Sequence, residues 1–330
     1  MCAQRLNEPR RTMKAAAIDR FGPPSVLKLH ELPVPKLAPE EVLLALTACG
    51  VGVWDADVRK GWWPRGRPSF PLVPGTDGAG TVAAKGARVR RFAIGERVWA
   101  YEFANRKGGF YAEYVAVNAA HVGRVPRRLD LLRAGAATVT ALTALQGVDD
   151  VLGLRRADTV LVFGATGAVG TMAVQFAKRR GAHVIATASG RKATRIVLSL
   201  GAAAAFDARK KDAIDRLREL APDGLDAVLS FAGGATLERC LDLLKPEGRV
   251  AYPNGVEPEP RRRRRRFTLH GYDAEASPRH FAQLERAVDD ARLQVPIAAV
   301  YSLSQAARAH ERLEHGHIIG RIVLRVRRAL

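Results

Sequence analysis

The sequence predicts an α/β protein in which a doubly wound parallel sheet is joined to a β-rich, barrel-like domain, and three observations carry that prediction. At 330 residues with 47% apolar content, the chain is long enough for two cores. From Val160 to Lys178 it reads VLVFGATGAVGTMAVQFAK, an apolar run that meets a glycine turn and then a helical pattern. At Leu131 the texture changes from short strands divided by Pro and Gly to alternating strands and helices.

Before that change, strands are expected at Lys14 to Ile18, Val26 to Glu31, Glu41 to Ala48, Gly78 to Ala84, Arg97 to Ala100 and Tyr111 to Val117. An alanine-rich helix from Leu131 to Leu152 leads into strands at Val160 to Phe163, His183 to Thr187, Ala204 to Phe206, Ala227 to Phe231, Arg249 to Pro253 and Phe267 to Tyr272. Helical stretches separate them, which is the rhythm of a six-stranded doubly wound sheet of the Rossmann type. The tail alternates helix and strand twice and is expected to return to the first domain. The expected division is 13–132 with 275–330 in the barrel-like domain, 133–274 in the parallel-sheet domain, and 1–12 as a flexible extension.

The glycine turn is where the chemistry is most legible. Gly164, Gly167 and Gly170 let the backbone bend and let a phosphate approach, and the helix that follows aims its first amides at that phosphate. The fingerprint is A-T-G-A-V-G, with Ala165 at the first glycine, so the strand before it and the βαβ unit around it carry the weight. Gly164, Ala165, Thr166, Gly167, Ala168, Val169 and Gly170 are the expected pyrophosphate contacts. A dinucleotide site that prefers NAD ends its second strand in Asp or Glu. This chain has Ala188-Ser189-Gly190-Arg191-Lys192 there, so Ser189, Arg191 and Lys192 are expected to favour the 2′-phosphate of NADPH.

Composition narrows the setting. Three scattered cysteines without a CxxC argue against a disulfide framework or a thiolate zinc site, and a reducing cytoplasm suits them. Three glycines within the apolar stretch and its strand-turn-helix rhythm argue against a membrane span. The net charge of +20 includes six consecutive arginines, Arg261 to Arg266, which must be exposed and offer a nonspecific polyanion surface. His315 and His317 are explained by a loop before a strand, and no metal ligand set is expected.

The order and spacing of MKAAAIDRFGPPSVLKL at the start, ACGVGVWDADVRKG at 48–61, VPGTDGAGTV at 73–82, GGFYAEYVAV at 108–117, the glycine turn and GRIVLRV at 320–326 resemble the medium-chain dehydrogenase/reductase superfamily. The likeness is to its zinc-free quinone oxidoreductase and enoyl reductase branches, and it implies a GroES-like fold for the barrel domain. Gly52 and Thr76 stand where the zinc members place a cysteine and a histidine. The resemblance implies that Thr143, Phe231, Ala232, Asn254 and Gly255 lie near the nicotinamide, and that two copies pair as a homodimer. It implies hydride transfer from NADPH to a quinone or an α,β-unsaturated carbonyl.

Related quinone reductases carry Asn at the position of Gly52, Tyr at Asp57 and often Tyr at Trp63. Asp57 is then the nearest proton-relaying group. Trp54, Trp62 and Trp63 are candidates for an apolar wall against a conjugated substrate, and Tyr111 and Tyr114 are further proton donors or core aromatics. An enoyl-thioester reductase, or a weakly catalytic NADPH-binding regulatory or RNA-associated protein, are the alternative readings.

Overall fold

The computed structural model describes residues 11–64, 66–261 and 267–327. Most of the expected N-terminal extension, and Arg262 to Arg266 of the arginine block, lie outside the described residues.

The first part of the chain forms β1 (Thr12–Ala17), β2 (Lys28–Pro33), β3 (Glu41–Val51), α1 (Val53–Lys60), β4 (Asp77–Lys85), β5 (Arg97–Tyr101), β6 (Tyr114–Asn118), β7 (Val122–Arg124) and α2 (Leu131–Gln146). The second forms β8 (Thr159–Phe163), α3 (Ala168–Arg179), β9 (His183–Thr187), α4 (Arg191–Ser199), β10 (Ala204–Phe206), α5 (Ala213–Leu220), β11 (Leu225–Ser230), α6 (Ala235–Leu241), β12 (Leu244–Pro253) and β13 (Thr268–Tyr272). The tail supplies α7 (Pro278–Ala291), β14 (Ile297–Ser302), α8 (Ala306–Glu314) and β15 (Arg321–Arg325).

Six parallel strands in the order β10-β9-β8-β11-β12-β13 make the doubly wound sheet. Strand order reverses between β8 and β11, which opens a crevice at their carboxyl ends. The β8 sequence shows why the sheet is covered on both faces: Val160 and Val162 join one buried cluster with α2 and α3, while Leu161 and Phe163 join another with α5 and α6. The second sheet is GroES-like, running β14-β15-β3-β4-β5-β7 with β6 on β3. In the tail, β15 pairs antiparallel with β3.

Helix α2 is the seam. Its alanines pack on Ala48 and Ala79 of the barrel sheet on one side and on Ala173 and Phe176 of α3 on the other. Leu131–Val151 is the one helical stretch among the described residues long and apolar enough to cross a membrane, and 78% of its apolar window is buried inside the protein as core. The expected helix to Leu152 runs as α-helix only to Gln146 and continues as a wider turn over Gly147–Val151.

Gly135 lets α2 lie directly on β3, for a Cβ there would stand 2.5 Å from the Ala48 carbonyl oxygen. Overpacking of this kind costs about 1–3 kcal/mol. Gly135→Ala should therefore lower unfolding stability by an amount in that range in urea titrations with an unchanged m-value.

Candidate functional site

The crevice is built first from the glycine turn. Gly164 sits at φ 81°, where a side chain is strained, and its N–H donates to Thr187 Oγ1 at 2.8 Å, fixing the turn to the end of β9. A Cβ on Gly170 would stand 2.3 Å from the Gly164 carbonyl oxygen, so α3 enters this turn only as glycine. Helix α3 starts after Gly167 with no side-chain cap, which leaves its first amides, at Ala168 and Val169, for an anion. Ala165 is buried beneath the turn, and the Thr166 carbonyl accepts the N–H of Gly320 at 2.9 Å. These residues fit a dinucleotide pyrophosphate.

The other expected contacts fall around it. Phe231 and Ala232 press on Gly164, with 3.3 Å between the Phe231 Cβ and the position of a Gly164 Cβ. Asn254 donates to Asp273 Oδ2 at 2.8 Å, and Gly255 faces Trp54. The Thr143 hydroxyl turns back onto the Val139 carbonyl at 2.8 Å. Beyond β9 a groove of about 810 Å³ is lined by Gly190, Arg191, Arg195, Asp207, Lys210 and Arg216, among others. Arg191 lines it and Lys192 does not. Ser189 donates its proton to Asp207 Oδ1 at 2.6 Å, and Arg209 donates to the same carboxylate, which holds it below the usual range despite partial burial.

Helix α1 forms the opposite wall, and its pattern gave no helical signal because its inner face is charged. Asp55 and Arg59 are fully buried there, four residues apart, while Trp54 and Asp57 occupy the outer side. The Trp54 ring stands 5.3 Å from Trp62 and 5.7 Å from Phe103, and a Cβ on Gly255 would meet it at 2.9 Å. Trp63 is elsewhere: it packs on the barrel-domain core, and Phe103 takes the third place in the aromatic wall. Asp57 is half-buried, and burial raises its carboxyl, opposed by Lys60 and assisted by Glu257. Tyr114 lies under the Arg327 guanidinium at 4.3 Å, away from the wall.

Beneath α1 is a cluster that motif reading passed over. Arg321 Nη2 donates to Asp77 Oδ1 at 3.0 Å, and Asp77 Oδ2 accepts the Val139 N–H at 3.0 Å. The guanidinium lies over Gly50, where a Cβ would stand 2.6 Å from Nη2. Next to it Asp55 Oδ2 accepts the Gly52 N–H at 2.8 Å and the Tyr111 hydroxyl at 3.2 Å, while Oδ1 is buried without a partner. Burial drives the Asp55 carboxyl from 3.8 up to about 7, against the pull of Arg321. The i, i+4 spacing of Asp55 and Arg59 was the available signal.

Two family models match the chain: an alcohol dehydrogenase GroES-like domain over residues 38–127 and a zinc-binding dehydrogenase over residues 200–324. The quinone oxidoreductase of Lama guanicoe is 32% identical over 326 residues, covering 95% of this chain and 98% of its own. Among solved structures, an NAD-dependent alcohol dehydrogenase superposes with a TM-score of 0.88 at 32% identity, covering 96% of this chain and 100% of its own. A mycobacterial protein complexed with NADPH superposes with a TM-score of 0.82 at 28% identity, covering 95% and 100%.

A carboxyl that is raised on folding binds its proton more tightly in the native state than in the unfolded one. The contribution of Asp55 to stability is therefore present below about pH 4 and is lost as pH rises through about 7. The stability of wild type relative to Asp55→Asn should fall steadily across that window in urea titrations at stepped pH. A difference that stays level between pH 4 and 8 would contradict the assignment.

Proposed function

The chain belongs to the medium-chain dehydrogenase/reductase superfamily, in its quinone oxidoreductase-like branch, and we propose that it is an NADPH-dependent reductase of quinones or α,β-unsaturated carbonyl compounds. Membership makes it an oxidoreductase of a pyridine nucleotide-binding family. The preference for NADPH and the acceptor class are the proposed steps.

One observation supports the cofactor preference above others. The glycine turn and the uncapped start of α3 fit a pyrophosphate, and the groove past the end of β9 carries Arg191, Arg195 and Lys210, for which no carboxylate partner is found among the described residues. A dianionic 2′-phosphate suits that setting, and Asp207, engaged by Ser189 and Arg209, is partly neutralised.

When bound, the cofactor supplies a hydride at its nicotinamide. The chain's own residues then choose the acceptor. Gly52 and Thr76 provide neither thiolate nor imidazole at the two positions where zinc relatives hold metal, so an acceptor that is already electron-poor fits best. Trp54, Trp62 and Phe103 offer it an apolar wall of mutually tilted rings. Asp57, whose carboxyl is raised by burial against the pull of Lys60, stands beside that wall as the proposed proton relay to the reduced product. A homodimer remains part of the proposal, since β13 ends the parallel sheet with no neighbour on its outer side among the described residues.

Arg191→Ala should raise the KM for NADPH at least tenfold and leave that for NADH within twofold, in assays of cofactor oxidation with 1,4-naphthoquinone. Equal changes for the two cofactors would remove Arg191 from 2′-phosphate recognition. Asp57→Asn should cut kcat with an open-chain enone about 10²-fold or more, as loss of a general acid does, without moving the NADPH dissociation constant. Unchanged enone turnover would assign proton delivery to another group.

A further inference from the structure

Helix α1 has few apolar anchors. Among its eight residues only Ala56 and Val58 are buried hydrophobics, and the rest of its inner face is Asp55 and Arg59. Two side chains from distant elements fill the space between those charges. His310 of α8 meets Arg59, with Nε of Arg59 donating to Nδ1 at 3.3 Å. Tyr111, from the segment before β6, meets both His310 Nε2 at 3.0 Å and Asp55 Oδ2 at 3.2 Å. The four residues are all fully buried, and the chain of hydrogen bonds begins and ends on the same helix.

The direction of every bond follows from one fact. A guanidinium donates and never accepts, so His310 Nδ1 is the acceptor and the ring keeps its proton on Nε2. That N–H donates to Tyr111 Oη, and the tyrosine proton goes to Asp55. The imidazole stays neutral, because burial first and then Arg59 bring it down to about 3. The charge of Arg59 is met outside the ring, by Glu314 and the Gly22 carbonyl oxygen, and Lys60 joins Glu314 at 3.2 Å. No member can be replaced by an apolar group without leaving buried donors or acceptors unpaired.

We propose that His310 is a positioning residue for the acceptor: through Tyr111 and Arg59 it fixes the rotation of α1 about its own axis and so aims Trp54 and Asp57 across the crevice. The proposal rests on the quinone or enone reductase reading above and says how its acceptor subsite is held. Trp54 and Asp57 are three residues apart on the face turned away from the ring, so a roll of the helix moves them together. A side chain ~6 Å from the axis shifts by about 2 Å for a roll of about 20°. A shift of that size breaks the contact of Trp54 with Gly255 and the ring spacing with Trp62 and Phe103. Misplacement on this scale costs as much as 10²-fold in a reaction that depends on approach geometry. The roll reaches the opposite side at Gly255, just past β12, and not at the glycine turn or Arg191, on which NADPH binding rests.

The test uses the full chain in three forms. His310→Phe keeps a ring in the space but neither accepts nor donates. His310→Gln offers Oε1 to Arg59 and an N–H to Tyr111. The readouts are KM for 1,4-naphthoquinone, the NADPH dissociation constant by fluorescence titration, and quenching of tryptophan emission by acrylamide, which reports on Trp54, Trp62 and Trp63, since Trp99 is fully buried. His310→Phe should raise the quinone KM at least tenfold, leave NADPH binding within twofold and increase quenching. His310→Gln should stay within threefold of wild type in every readout.

A quinone KM unchanged in His310→Phe would overturn the proposal, as would NADPH binding that weakens in step with it. Should His310→Phe fail to fold, Tyr111→Phe removes a single hydroxyl and should move the same readouts in the same direction by a smaller amount; no movement there overturns it too. If wild type reduces neither quinone nor enone, the quinone or enone reductase reading falls, and equal quenching in all forms is then what sinks the positioning role.

Discussion

The ion pair between Arg321 and Asp77 is the contact on which the junction of the two domains depends. Both side chains are out of water, a position that costs several kcal/mol per ion unless geometry and further hydrogen bonds offset it. Here they do: one carboxylate oxygen takes the guanidinium and the other takes the Val139 N–H. Those two bonds join β15, β4 and α2 at a single point. One residue earlier, Gly320 donates to Thr166 in the glycine turn, so the C-terminal strand, the barrel sheet, the connecting helix and the pyrophosphate site share one registration.

That arrangement decides the electrostatics of everything around it. Two buried carboxylates, Asp55 and Asp77, lie near one buried guanidinium, and Asp77 takes it. Asp55 is left with two dipolar donors, the Gly52 N–H and the Tyr111 hydroxyl, and with an unpartnered oxygen. Dipoles alone stabilise a buried anion less than a paired cation does, so Asp55 holds its proton to a higher pH than an ordinary surface carboxylate. The same crowding pushes the Cys49 thiol and the Tyr111 phenol upward, burial first and neighbouring carboxylates next. The cluster is neutral when one proton is shared among its acids. Arg59 does not change that balance, since Glu314 matches it on the far side of the helix.

The difference between what the sequence discloses and what it hides follows from this chemistry. Strand β8 is legible because Val160 to Phe163 meet apolar neighbours on both faces, and a short continuous apolar run bounded by turns is what a doubly covered strand requires. The glycine turn is legible because Gly164 and Gly170 answer steric demands that no other residue meets. Helix α1 is not. Periodicity looks for an apolar stripe, and this helix buries Asp55 and Arg59, so its pattern reads as a polar loop with a tryptophan. His310 is hidden for a related reason: its partners, Arg59 and Tyr111, are 251 and 199 residues away in sequence. Trp63 looks like part of the wall by adjacency to Trp62, but it packs against the barrel-domain core while Trp62 meets Trp54 and Phe103.

The two glycines below α1 have different causes, and the distinction bears on what the crevice accepts. Gly50 is required by the ion pair, for a Cβ there would stand 2.6 Å from Arg321 and 2.9 Å from Asp77 Oδ1. Gly52 is less tightly constrained: its Cβ would stand 3.2 Å from the guanidinium, so Arg321 would have to give by a few tenths of an ångström while keeping Asp77. The bulk reappears two residues later as Trp54, which reaches Gly255 on the opposite domain. Under the proposed function, glycine at 52 together with Trp54 leaves tilted aromatic rings rather than a polar group on that side of the crevice, and recognition of the acceptor there would rest on shape and ring contact more than on hydrogen bonding.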